Sequence, residues 1–147
     1  MGEILSFFTN RLCLAVICAW VLAQGIKVII SLAKRGKPQW HRFVEPGGMP
    51  SSHAAVVIAL LTGVGILRGI HSTIFIVTLI FSLAIIYEAV GVRKEVEQQA
   101  EILSSLIEKL PSKNKFKINL KKSLGHRPID VAVGGIVGLI IALIWMR

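Results

Sequence analysis

Three stretches of this chain are apolar for roughly the length of a bilayer crossing, and each carries a single charged residue. They run from about Leu12 to Ala33 (with Lys27), from Ser72 to Val92 (with Glu88) and from Ile129 to Met146 (with Asp130). A fourth, shorter run extends from about His53 to Leu67, and reaches spanning length when counted from Ser51 to Ile70. With 147 residues, 54% of them hydrophobic and a mean hydropathy of +0.70, the chain is too short to hide such runs in a soluble core. Lipid offers the backbone no hydrogen-bond partner, so each run is expected to be helical despite its Val and Ile content. The expected fold is an all-α integral membrane protein, one domain over 1–147. Its spans fall at about 12–33, 51–70, 72–92 and 129–146, with no signal-peptide head before the first.

Four crossings put both termini and the turn at residues 69–71 on one side, and the loops 34–52 and 93–128 on the other. Of the 17 Lys and Arg residues, only Arg11, Arg68 and Arg147 fall on the terminal side, leaving 14 on the loop side. Positive residues stay in the cytoplasm, so both long loops are expected there, in a cell inner membrane. The net charge of +9 then points to anionic lipid headgroups or a phosphate-bearing substrate, not to nucleic acid. Within the long loop, Val96, Leu103, Leu106, Ile107 and Leu110 recur at helical spacing among charged residues. This predicts an amphipathic interfacial helix over about 94–110, stopped by Pro111. Cys13 and Cys18 are five residues apart within the first span, which fits neither a mutual disulfide nor a metal pair.

Two loop-side segments are composed for more than connection. In Glu45-Pro-Gly-Gly-Met-Pro-Ser-Ser-His53, the glycines permit a tight turn and Ser51 or Ser52 can cap the helix that follows. The free N–H groups and dipole of such a helix start form an anion site, with His53 in the first turn. In Leu124-Gly-His-Arg-Pro-Ile-Asp130, His126 and Asp130 are four apart, a spacing that lets a carboxylate orient an imidazole. Arg127 adds a phosphate-binding group, and Pro128 suits the first helical position, although a plain N-terminal cap explains Asp130 almost as well. Lys27 lies inside its span, where a lysine either works or snorkels to the headgroups. Glu88 stands one turn before Arg93, as an ion-pair partner or a supporting site residue.

The expected topology brings Lys27, Lys34, Ser51, Ser52, His53, Glu88, Arg93, His126 and Asp130 to one depth on one side. Two histidines, an orienting carboxylate, cations and a helix start suit phosphoryl transfer. One histidine would attack phosphorus and the other protonate the leaving oxygen. A zinc or iron site from His53, His126, Glu88 and Asp130 is the competing chemistry, with no HExxH or CxxC spacing behind it.

Together the segments GGMPSSH, YEAVGVR, Gln99-Ala100 and LGHRPID resemble the type-2 phosphatidic acid phosphatases. The likeness is greatest to their divergent branch, related to acid phosphatases and vanadium-dependent haloperoxidases, and covers about residues 24 to 138. The parent family's first motif is similar to Lys27 with Lys34-Arg35, its PSGH to Pro50-Ser51-Ser52-His53, and its H-x-x-x-D to His126 through Asp130. The resemblance implies a phosphohistidine at His126 oriented by Asp130, with His53 as general acid. It also implies phosphate held by Lys27, Lys34, Ser51, the backbone of Ser52 and Arg93, with no metal and no cofactor. Leu120 stands where the third motif has arginine, a place Arg93, or else Lys121 and Lys122, would take. Glu88 replaces an aspartate, and four spans replace six.

The function expected is dephosphorylation of a membrane lipid phosphate at the cytoplasmic face. Phosphatidylglycerophosphate comes first, then phosphatidate or a polyprenyl phosphate. The alternatives are a catalytically silent headgroup-binding or scaffold protein and, less supported, a small transporter. Gly134 and Gly138 could mark packing within the chain or between copies, which leaves a homo-oligomer open.

Overall fold

The computed structural model describes residues 6, 9–36, 40–43, 47–108 and 127–147; within these, the side chains at 34, 35, 41, 42, 92–94, 97 and 108 lie outside the description. Among the described residues there are five α-helices, one 3₁₀ turn and no strand. They are α1 (Arg11–Arg35), the turn Trp40–Phe43, α2 (Ser52–Arg68), α3 (Thr73–Val90), α4 (Val92–Glu108) and α5 (Pro128–Trp145). Helices α1, α3 and α5 are long and apolar enough to cross a membrane, while α2, at 17 residues, is shorter.

Local chemistry sets the ends. The Asn10 side chain accepts from the Leu12 N–H at 2.9 Å to start α1, and Gly36 ends it in the left-handed region at φ 68°, where a Cβ would be strained. Ser51 and Ser72 cap α2 and α3 through their hydroxyls. The third apolar run, expected to continue to Val92, instead stops at Val90. Gly91 turns the chain, and α4 starts at once from Val92. Arg93 therefore belongs to the first turn of α4 and does not close the span. Helix α4 is amphipathic as expected. Its Val96, Ile102, Leu103 and Leu106 are exposed, and its packing among the described residues is against α3.

The buried seam is built from small residues at a four-residue period. On α1 it runs Ala15, Ala19, Ala23, Lys27, Ser31; on α2, from its cap, Ser51, Ala55, Ala59, Gly63; on α5, Asp130, Gly134, Gly138, Ala142. Rows spaced by four form the ridges that interlock when helices cross closely, and small residues let backbones touch where lipid gives no hydrophobic drive. Helices α2 and α5 are closest. A Cβ on Gly134 would overlap the carbonyl oxygen of Ser51, and one on Gly138 that of Ala55. The large apolar side chains point outward instead, among them Ile76, Ile80, Phe81 and Leu83 on α3 and Ile136, Ile140 and Ile144 on α5.

Candidate functional site

At one end of the bundle the three rows change from Ala and Gly to Lys, Ser and Asp. The same register that packs the helices therefore carries these polar side chains inward. Lys27 is 4% exposed, and its Nζ donates to the Ser52 hydroxyl oxygen at 3.3 Å, joining positions 25 apart in the chain. Ser52, equally buried, is the first residue of α2. Ser51, completely buried, accepts from the Ala54 N–H through Oγ at 3.3 Å. Its own N–H donates to the Asp130 carbonyl at 2.8 Å. Asp130 is 8% exposed, and its Oδ2 accepts from the Arg127 N–H at 2.9 Å. That bond is a helix cap, the simpler of the two roles weighed for this carboxylate.

The starts of α2 and α5 are thus pinned together beside a buried lysine. The positive dipole end of α2 meets the ammonium group, an arrangement suited to an anion, while the start of α5 is capped by its own Asp130 carboxylate. His53 follows in the first turn of α2. It lines a groove of about 260 Å³ with Trp20, Gln24, Ser52, Val56, Val57 and Ile85. One wall is braced from the loop, because the Phe43 ring meets Trp20 edge-on at 5.7 Å and 78°.

Two other expected site residues lie at the surface. Arg127 is exposed at the cap of α5, and Glu88 is exposed on α3. Lys34 lies in the last turn of α1 and Arg93 in the first of α4, both with side chains outside the description. His126, Leu120, Lys121 and Lys122 also fall outside the described residues, as does the stretch 109–126 that completes the long loop. Among the described residues no three His, Cys, Asp or Glu side chains converge as metal ligands; His126, which the zinc or iron alternative needs, is not among them.

Besides Lys27, two polar residues not singled out above lie inside α1, Gln24 and Ser31. Both are 4% exposed. The signal was present: Ser31 is one turn beyond Lys27 on the Ala15–Ala19–Ala23 row, and Gln24 is three residues before Lys27, on the same side of the helix.

An apolar helical bundle with three helices long enough to cross a bilayer has the architecture of a membrane protein. Comparison with known proteins gives the family. The chain belongs to the Divergent PAP2 family, whose profile matches residues 8–141. It is 36% identical over 153 aligned residues to the "Uncharacterized membrane protein YuiD" of Bacillus subtilis (strain 168), covering 95% of this chain and 96% of that one. No solved structure matches the chain.

Proposed function

We propose that this protein is a lipid phosphate phosphatase acting at the cytoplasmic face of a cell inner membrane. Its substrate would be a phospholipid-type phosphomonoester, phosphatidylglycerophosphate first and phosphatidate or polyprenyl phosphate after it. The observation that carries the proposal is the buried contact of Lys27 with Ser52 beside the joined starts of α2 and α5. It brings Lys27 and the Ser51–Ser52 segment to one point, next to Asp130.

In the proposed reaction the phosphoryl group rests on Lys27, the Ser51 and Ser52 segment and the N–H groups of α2. Lys34, Arg93 and Arg127 supply further positive charge as the transition state spreads negative charge over the oxygens. His126, bonded to Arg127, attacks phosphorus. The P–O bond to the lipid alcohol breaks, and His53 gives its proton to the departing oxygen. Asp130 supports the His126 imidazole. Water then attacks the phosphohistidine, His53 takes its proton, and inorganic phosphate leaves. Glu88 stays outside this set as a supporting residue.

The topology proposed has four crossings, α1, α2, α3 and α5, with α4 lying in the interface on its apolar face. Helix α2 spans about 25 Å at 1.5 Å per residue, short of a hydrocarbon core of about 30 Å. Local thinning accommodates such a mismatch, and would bring headgroups down towards Lys27 and Ser52.

The test is phosphate release by the purified protein in detergent with EDTA, from a panel of lipid phosphates. His126→Ala and His53→Ala run beside it. Release from one lipid that both variants abolish is the expected result. A folded, monodisperse protein that releases nothing from any lipid would favour the silent headgroup-binding alternative. Activity that returns only on adding a metal would favour the metal site.

A further inference from the structure

One polar group in the groove is not used by the proposed chemistry. Gln24 is 4% exposed, it lines the groove with Ser52 and His53, and its Oε1 has no hydrogen-bond partner among the described residues. A buried amide oxygen left in this state is costly, and polar groups at membrane depth are rare unless they serve something. Gln24 precedes Lys27 by three residues, about 4.5 Å along the helix axis, so it lies one turn deeper than the lysine. Val56, Val57 and Ile85 make much of the remaining wall apolar, beside the Trp20 and His53 rings. A phosphate at Lys27 and Ser52 would thus be followed, going inward, by the Gln24 amide among mostly apolar side chains.

We infer that Gln24 is a specificity-determining residue that binds a free hydroxyl on the second carbon of the phosphorylated alcohol. The inference rests on the phosphatase proposal only for where the phosphate sits. A hydroxyl both donates and accepts, so it satisfies the amide through either of its polar atoms. Two classes of lipid carry this unit, phosphatidylglycerophosphate and monoacylglycerol phosphate. Phosphatidate has that oxygen esterified, and a polyprenyl phosphate has none. A site built around a hydroxyl discriminates against ligands lacking it, because its own polar group is then left unpaired.

The experiment measures binding of short-chain forms of these four lipids by calorimetry, in detergent with EDTA. A His126→Ala background keeps the ligands intact. At least one hydroxyl-bearing lipid should bind about tenfold tighter than its 2-deoxy analogue, the gap expected for one buried hydrogen bond. Gln24→Leu should close that gap by weakening only the hydroxyl-bearing ligand. Which of the two lipids shows the gap names the source of the unit. Gln24→Met, closer in length, decides the matter if Gln24→Leu fails to fold. A gap that survives substitution overturns the inference. So does equal weakening of all four lipids, which would make Gln24 a packing residue within the chain or between copies. Phosphate release is followed in parallel with His126 intact. A Gln24-dependent gap without release sinks the phosphatase proposal and leaves the hydroxyl assignment standing.

Discussion

Lys27 and Ser52 are the pair on which the site turns. An ammonium group at this burial is expensive in lipid, and its position is fixed by the hydroxyl it donates to at 3.3 Å. Lys27→Met keeps the length of the side chain and removes the charge. On the phosphatase proposal it should lower kcat/KM for lipid phosphate about 100-fold, the size of effect seen on losing one transition-state donor, with folding retained. Initial rates in mixed micelles check this, and an unchanged rate would remove Lys27 from the site. Ser51→Ala should instead act on stability, costing about 1 kcal/mol through the lost cap on Ala54, read by denaturant titration in detergent.

The packing rows make their own predictions at the level of helices. Gly134 and Gly138 touch the backbone of α2, and backbone cannot swing aside as a side chain can. Gly138→Val should therefore force α5 away from α2 and cost about 3 kcal/mol, the upper end for overpacking. Among the described residues, a Cβ at Gly135 would meet only Ile58 Cγ1, at 3.6 Å, so Gly135→Ala should be close to neutral. Thermal unfolding of the two variants in one detergent compares them, and similar melting points would contradict the close approach of α2 and α5. The helices themselves were legible in the sequence because uninterrupted apolar runs leave the backbone no alternative in lipid. Their ends fell within about two residues of expectation, Gly91 being the turn that the hydropathy pattern hid. The seam was less legible. Alanine is only weakly apolar and common everywhere, so the Ala15, Ala19, Ala23 row stood out less than Gly134 and Gly138. Gln24 was missed for a related reason, since one uncharged polar residue barely lowers the hydropathy of its run. The motif segments were readable because glycine, proline, serine and histidine are rare company in an apolar chain. The Lys27–Ser52 contact was not, because two residues at one depth need not touch.

For the whole molecule the charge asymmetry and the proposed four crossings make a joint prediction. With Cys13 and Cys18 replaced by serine, single cysteines at Gly69 and at Lys115 should react with impermeant thiol reagents from opposite sides of the membrane. Lys115 should be reached from the cytoplasm. Labelling of both from one side would mean that α3, the apolar helix between them, does not cross, and would undo the common depth assumed for the site. The central claim is that a phosphoryl group passes through His126. The most direct measurement mixes the purified protein with lipid carrying radiolabelled phosphate, quenches within milliseconds and seeks covalently bound label. The account predicts a label stable to alkali and labile to acid, lost in His126→Ala and lengthened in lifetime in His53→Ala. Label that persists in His126→Ala, or lipid turnover with no covalent label at any quench time, would contradict it.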